Sequence, residues 1–144
     1  MFRPVLVSAA VLSLASPAVA QSSRPYTEGP VRFVSYIRTK PGKFDEYMKY
    51  LQGPYKTLYE ALKKEGIILG YAVYTSVARN PEDWDIVLTV DYKNFAALDG
   101  LQDRTDPISE RLLGTLEQQN QRYAERGTLR DVLGNRLLRE LQLK

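Results

Sequence analysis

The sequence predicts an α+β domain with elements in the order β-α-β-β-α-β, forming one sheet under a helical layer. Three observations predict it. Four segments alternate in side-chain character with a period of two, and two segments place apolar residues three and four apart. Turn-forming clusters such as Thr39-Lys40-Pro41-Gly42 and Asn80-Pro81 fall where the pattern changes.

Residues 31–38 open the pattern. Val31, Phe33, Ser35 and Ile37 face one way, and Arg32, Val34, Tyr36 and Arg38 the other, as in a half-buried strand. After the Pro41-Gly42 turn, Phe44, Tyr47, Met48, Leu51, Tyr55, Leu58 and Leu62 step onto one helical face. Gly53-Pro54 inside this stretch predicts a bend, because proline has no amide hydrogen to donate. Gly66 stands where a left-handed residue commonly closes a helix. Residues 67–77 read as the second strand, with Ile67, Leu69, Tyr71 and Val73 on one face and Gly70, Ala72, Tyr74 and Ser76 on the other. A turn at Arg79-Asn80-Pro81-Glu82-Asp83 leads to the third strand. There Trp84, Ile86, Leu88, Val90 and Tyr92 lie opposite Asp85, Val87, Thr89 and Asp91, completing a hairpin.

Asn94 is placed to cap a short helix containing Phe95, Leu98 and Leu101. Asp106-Pro107 predicts a helix start, continued by Ile108, Leu112, Leu116, Gln119 and Tyr123 to about Arg126. At the end of the chain Leu137, Arg139, Leu141 and Leu143 alternate with Leu138, Glu140, Gln142 and Lys144. That favours a final strand, although residues 128–138 also tolerate helix.

Ahead of the domain, Arg3, an apolar stretch over residues 5–14 and Ala18-Val19-Ala20 have the form of a secretory signal cleaved after Ala20. The apolar core is about half the roughly 20 residues that a membrane span requires. The expectation is an exported protein, periplasmic or extracellular, with a flexible leader over residues 21–30 and a single domain over residues 31–144. The chain has no cysteine, so this domain must hold together by packing and hydrogen bonds without disulfides.

It has no histidine either. The usual general base at neutral pH, the Ser–His and Cys–His nucleophiles, zinc and iron–sulfur ligation, and haem held by His or Cys are all missing with those two residue types. No catalytic residue, metal site or cofactor is predicted. The 20 basic and 17 acidic residues are mixed along the chain, which argues against a nucleic-acid stripe or a polybasic membrane segment. Only the last third leans basic, through Arg122, Arg126, Arg130, Arg136, Arg139 and Lys144, read as solvated or loosely paired.

Four strand aromatics are the candidate ligand-binding residues. Tyr36, Tyr71, Tyr74 and Trp84 each offer a broad apolar body with one hydrogen-bonding tip, suited to a flat organic molecule, or else they fill the core and an interface. Asp85 and Asp91 are separated by roughly 20 Å along their strand and cannot form a catalytic pair. A structural partner from Arg32, Arg38 or Arg139 suits them better. The Phe44-to-Leu62 stripe reads as core, since Asp45, Glu46 and Glu60 accompany its lysines.

The segment Ile37-Arg38-Thr39-Lys40-Pro41-Gly42-Lys43 followed by a Phe/Tyr-rich helix resembles the opening of antibiotic-biosynthesis monooxygenases and their relatives, and Trp84-Asp85 entering the third strand adds to the likeness. Over most of residues 31–144 the pattern is similar to the dimeric α/β-barrel superfamily of ferredoxin-like domains. That resemblance implies a four-stranded antiparallel sheet with two helices on one face, and a homodimer in which two sheets form a barrel. Activities in the superfamily include cofactor-free oxygenation, haem degradation, isomerisation and non-catalytic roles. The haem-degrading members use an Asn, a Trp and a haem-ligating His; Asn80 and Trp84 can be set beside the first two, but no histidine exists and no catalytic residue carries over. The functional expectation is an exported homodimer that binds a small ligand or a partner without catalysis. The alternatives are a cofactor-independent monooxygenase-like enzyme acting on an aromatic substrate, and a purely structural interaction module.

Overall fold

The computed structural model describes residues 24–144. The expected signal segment and residues 21–23 of the expected leader lie outside the described residues. The elements run β1 (Tyr26–Thr39), α1 (Phe44–Tyr50), a π-helical turn (Leu51–Tyr55), α2 (Lys56–Lys64), β2 (Gly70–Thr75), β3 (Ile86–Tyr92), a 3-10 turn (Phe95–Leu98), α3 (Leu101–Leu113), α4 (Leu116–Gly127) and β4 (Arg130–Leu143). The strands form one sheet in the order β2-β3-β1-β4, and every neighbouring pair is antiparallel. The first and third strands therefore lie at the centre, as the β-α-β-β-α-β order requires when two helical crossovers cover the same face.

The alternation in β1 does what its period predicts. Ile37 joins Tyr47, Leu51, Tyr55, Ile86 and Leu129 in one buried cluster, while Phe33 packs against a second made by Leu62, Ile68, Val90, Tyr92 and Ile108. Both clusters lie between sheet and helices. On the opposite face three rows cross the sheet in register: Tyr74, Val87, Tyr36 and Gly134; Ala72, Thr89, Val34 and Arg136; Gly70, Asp91, Arg32 and Leu138. Among the described residues no helix joins these rows in a core cluster.

The structure departs from the sequence reading in several places. Part of the expected leader is strand: Tyr26, Thr27 and Glu28 pair with Leu143, Gln142 and Leu141. β4 is long enough to extend a two-stranded arm beyond β3, and a register shift after Glu28 lets Gly29-Pro30 pass without breaking the pairing. The helix expected to start at Asp106 instead starts at Leu101 and runs through Pro107. Burial of Ile108, with Leu98 and Leu101 packed against the same cluster, outweighs the single backbone bond that Pro107 forgoes. The helix expected to continue to Arg126 stops at Gly114, whose φ of +87° suits glycine alone. Thr115 then starts α4 through a reciprocal capping box: Gln118 N donates to Thr115 Oγ1 at 3.3 Å, and Thr115 N donates to Gln118 Oε1 at 2.9 Å. The last strand begins at Arg130, well before the alternation at Leu137, with a further register shift opposite Tyr36 and Ile37.

The bend expected at Gly53-Pro54 is present as a π-helical turn with Gly53 at φ −90°, ψ −105°. The tail alternation at Leu137 to Leu143 is strand as expected, and no helix of the described residues is long and apolar enough to cross a membrane.

Candidate functional site

The open face of the sheet holds three of the four aromatics picked out by the sequence. Tyr36 and Tyr74 flank Val87 in one cross-strand row, and the Trp84 ring lies 5.4 Å from that of Tyr36. Alternation had aligned Trp84 with Ile86, but β3 begins only at Ile86 and Trp84 turns to the Tyr36 side instead. Tyr71 is not part of this group. It lies on the helix side, 5.8 Å from the Tyr55 ring and 5.5 Å from the Tyr59 ring, and its hydroxyl donates to Glu60 Oε1 at 2.7 Å.

Arg32 and Arg38 on the open face are already matched. Arg32 grips Asp91 with two parallel bonds, Nε to Oδ1 at 2.6 Å and Nη2 to Oδ2 at 3.0 Å. Arg38 binds Glu82 at 2.7 Å and Asp131 at 3.2 Å, and Asp85 accepts from Thr39 N at 2.9 Å and from Thr39 Oγ1. Arg139 pairs with Glu28, its guanidinium 4.3 Å from the Phe95 ring centre. The groove of about 520 Å³ between the β1–α1 and β2–β3 loops is lined by Arg38, Asp85 and Asp131 among others, so its charges satisfy one another. Among the described residues no group of three or more acidic side chains is placed to hold a metal ion.

A different site lies on the helix side. Proline 54 breaks the donor ladder between α1 and α2, and the turn so formed buries Tyr55 at the kink, between Tyr50 and Tyr59. The Tyr55 and Tyr59 rings are 4.3 Å apart. From across the gap α4 supplies Arg122 and Arg126. Arg126 Nη1 donates to Tyr50 Oη at 2.6 Å, and its guanidinium carbon lies 4.8 Å from the Tyr50 ring centre and 5.0 Å from that of Tyr123. Arg122 Nη1 donates to the Leu113 carbonyl at 2.8 Å. These groups, with Pro54, Leu58 and Gln119, surround a recess of about 260 Å³.

Two of its groups are unfinished. Tyr55 is 7% exposed, and neither its hydroxyl nor Arg126 Nε has a hydrogen-bond partner. Such a buried donor costs roughly 1–3 kcal/mol. Burial also raises the phenols: Tyr55 is driven far above its ordinary value, and Tyr59 is pushed up to about 12. Tyr71 rises to about 12, through burial and then its bond to Glu60, and burial raises Tyr47 and Tyr92 as well. At neutral pH the recess therefore presents protonated phenols and arginines. They are hydrogen-bond donors that do not act as bases.

Sequence reading did not find this recess. Of its tyrosines only Tyr55 belongs to the helical stripe read as core, Tyr50 and Tyr59 fall outside that stripe, and the arginines lie far along the chain. The available signals were Gly53-Pro54 within an aromatic helix and the basic lean of the last third.

No family model matches the chain, and no curated protein matches it. Solved structures do. HapK from Hahella chejuensis superposes with a TM-score of 0.52 at 12% identity, over 76% of this chain and 91% of its own. A dimeric ferredoxin-like protein from an uncultured marine organism gives 0.49 at 13% identity, covering 82% and 98%. A dimeric protein of unknown function with a ferredoxin-like fold, from Bacteroides fragilis, gives 0.40 at 14% identity, covering 78% and 95%. The chain has the ferredoxin-like fold, and the resemblance read from the sequence holds at that level.

Proposed function

We propose that the chain is an exported homodimer that binds a small organic ligand without transforming it. The observation that carries the ligand reading is the pair of unpartnered donors, Tyr55 Oη and Arg126 Nε, beside a recess walled by Tyr50, Tyr55 and Tyr59. Arg130 Nε and Arg139 Nε are unpartnered as well, but at this recess two such donors come together, and burying unmet donors gains a folded chain nothing. Electrospray mass spectrometry of the protein purified under native conditions tests the reading. An adduct of constant mass, lost in a Tyr55→Phe, Arg126→Gln double variant, is the expected result; the bare chain mass across several preparations counts against it.

The homodimer is supported by what the sheet leaves uncovered. β4 is an edge strand, and Leu133, Leu137, Leu138, Leu141 and Leu143 on it are all exposed, Leu143 to 84%. Long apolar edges pair with other chains unless something shields them, and a second copy is the commonest shield. Light scattering of the purified chain should give twice the chain mass, and a monomer at high concentration would rule this out. Export rests on Arg3, the apolar stretch and Ala18-Val19-Ala20, and predicts a mature N-terminus at Gln21.

The aromatic walls also suit the second reading, a cofactor-independent oxygenase whose electron-rich substrate itself reacts with oxygen. Such a substrate must first lose a proton. Among the described residues the side chains lining the recess include no carboxylate, and burial makes Tyr55 and Tyr59 hold their protons, which favours binding over turnover. Oxygen uptake with polyphenolic substrates would reverse that preference.

A further inference from the structure

The ligand-binding reading leaves open what kind of molecule the recess takes, and its charges narrow the choice. Among the described residues Arg32, Arg38 and Arg139 each have a carboxylate partner. Arg122 and Arg126 have none: each spends one nitrogen on a neutral oxygen, that of the Leu113 carbonyl or the Tyr50 hydroxyl. A guanidinium carries five N–H donors in a planar fork, so most of the donor capacity here is unspent. Among the described residues these two arginines are the only charged side chains lining the recess.

We infer that the recess selects an aromatic carboxylate over the neutral molecule of the same shape, with Arg126 and Arg122 receiving the carboxylate and the tyrosine rings stacking on the aromatic body. This rests on the ligand-binding reading of the same recess. The arginine fork matches a carboxylate with two parallel bonds, and the ring walls accept a flat apolar body. The facing charges fix the orientation. The neighbouring recess of about 480 Å³ shares Tyr50, Pro54, Arg122 and Arg126 but adds Glu46 and Glu125. Those carboxylates repel an anion on that side, so the ligand's own carboxylate rests on the Tyr55 side of the guanidinium groups. The wall on the arginine side is α4, which has no fully buried residue and follows the left-handed Gly114.

Calorimetric titration of the full chain with benzoate and with benzamide tests the inference. Benzoate should bind about tenfold tighter or more, since hydrogen bonds to a charged group are roughly twice as strong as neutral ones. Arg126→Gln should remove about that factor for benzoate while leaving benzamide within about twofold. Arg122→Gln, whose side chain packs on no ring, provides the same comparison if loss of the Tyr50 contact unfolds the first variant. Equal affinity for the two compounds, or benzoate binding untouched in both variants, overturns the inference and leaves the ligand reading standing. If neither compound binds at millimolar concentration, both fall.

Discussion

The two faces of the sheet use the same residue types in opposite ways. On the open face arginine meets carboxylate: Arg32 holds Asp91, and Arg38 holds Glu82 and Asp131. These two arginines are met there, yet among the described residues no helix joins that face in a core cluster. On the helix side the surface is covered and the chemistry is incomplete. Five tyrosines are held less acidic than usual, Tyr55 Oη lacks a partner, and Arg126 lies against aromatic rings with no carboxylate partner among the described residues. The first contrast is the ground for proposing a second copy as the cover, and the second for proposing a small ligand.

Truncation separates the faces most strongly. Tyr47 is 1% exposed, sits at the centre of the first core cluster and lies beneath the Arg130 guanidinium. Tyr47→Ala should lower unfolding free energy by about 3–5 kcal/mol, read by urea denaturation. Tyr36→Ala, on the open face, should cost well under half of that in the isolated chain. Equal losses would erase the distinction.

Alkali gives the next largest effect. A phenol whose folded pKa exceeds its unfolded value near 10 stabilises the fold fully below pH 10, and that contribution is lost as pH rises through the folded value. For Tyr59 the window runs from pH 10 to about 12, Tyr55 acts with the same sign to higher pH, and Tyr71, nearer the solvent, acts in the same direction with its weight cut by screening. In that window the native state holds protons that the unfolded state has released, so stability falls with pH. The slope is about 1.4 kcal/mol per pH unit for each buried phenol. Denaturation followed alongside tyrosinate absorbance should show late ionisation coinciding with unfolding. Ionisation of all ten tyrosines before the fold is lost would contradict the buried cluster.

How much of this was readable beforehand depends on distance along the chain. Faces were legible because a period of two survives any register: Ile37 went inward and Tyr36 outward as the sequence implied, and Tyr71 and Tyr74 already stood on opposite faces by parity. Non-local and single-residue events were not legible. Nothing near Tyr26 reveals that Leu143 will pair with it. Leu112, Leu116, Gln119 and Tyr123 keep their spacing across Gly114, so periodicity is blind to one residue turning left-handed, although Thr115 and Gln118 carried the capping-box spacing. The recess was hidden for the same reason. It exists only because a kink at Pro54 faces the last turn of α4, and each half read alone is an ordinary amphipathic stripe.

Tyr55→Phe gives a smaller effect with the more informative sign. Removing a buried hydroxyl that has no partner should raise stability by about 1 kcal/mol, since the desolvation penalty goes and the ring stays. The same substitution should weaken a carboxylate ligand by several-fold. A melting temperature that rises while affinity falls marks a group kept for binding. A fall in both would mean that the hydroxyl is satisfied in solution and that the unfinished donor set is Arg126 alone.

The smallest effect in the single chain is the one that sharpens the comparison most. Arg32 and Asp91 are partly exposed, 49% and 25% by side chain, so Asp91→Asn should cost about 1 kcal/mol or less in the isolated chain. If a second copy covers the open face, the same pair becomes interior, and stripping its carboxylate leaves an arginine buried without a counter-ion, a loss of about 3–5 kcal/mol. The variant should therefore unfold almost like the parent at low concentration, where chains are separate, while sedimentation at high concentration shows its dimer weakened by two orders of magnitude or more, the factor equivalent to about 3 kcal/mol. Arg32 and Asp91 are also the only ion pair in their cross-strand row, between Gly70 and Leu138, so no neighbouring charge in that row can take over. A variant that dimerises as the parent does would place the partner elsewhere, and the leucine edge of β4 would then be the surface left to explain.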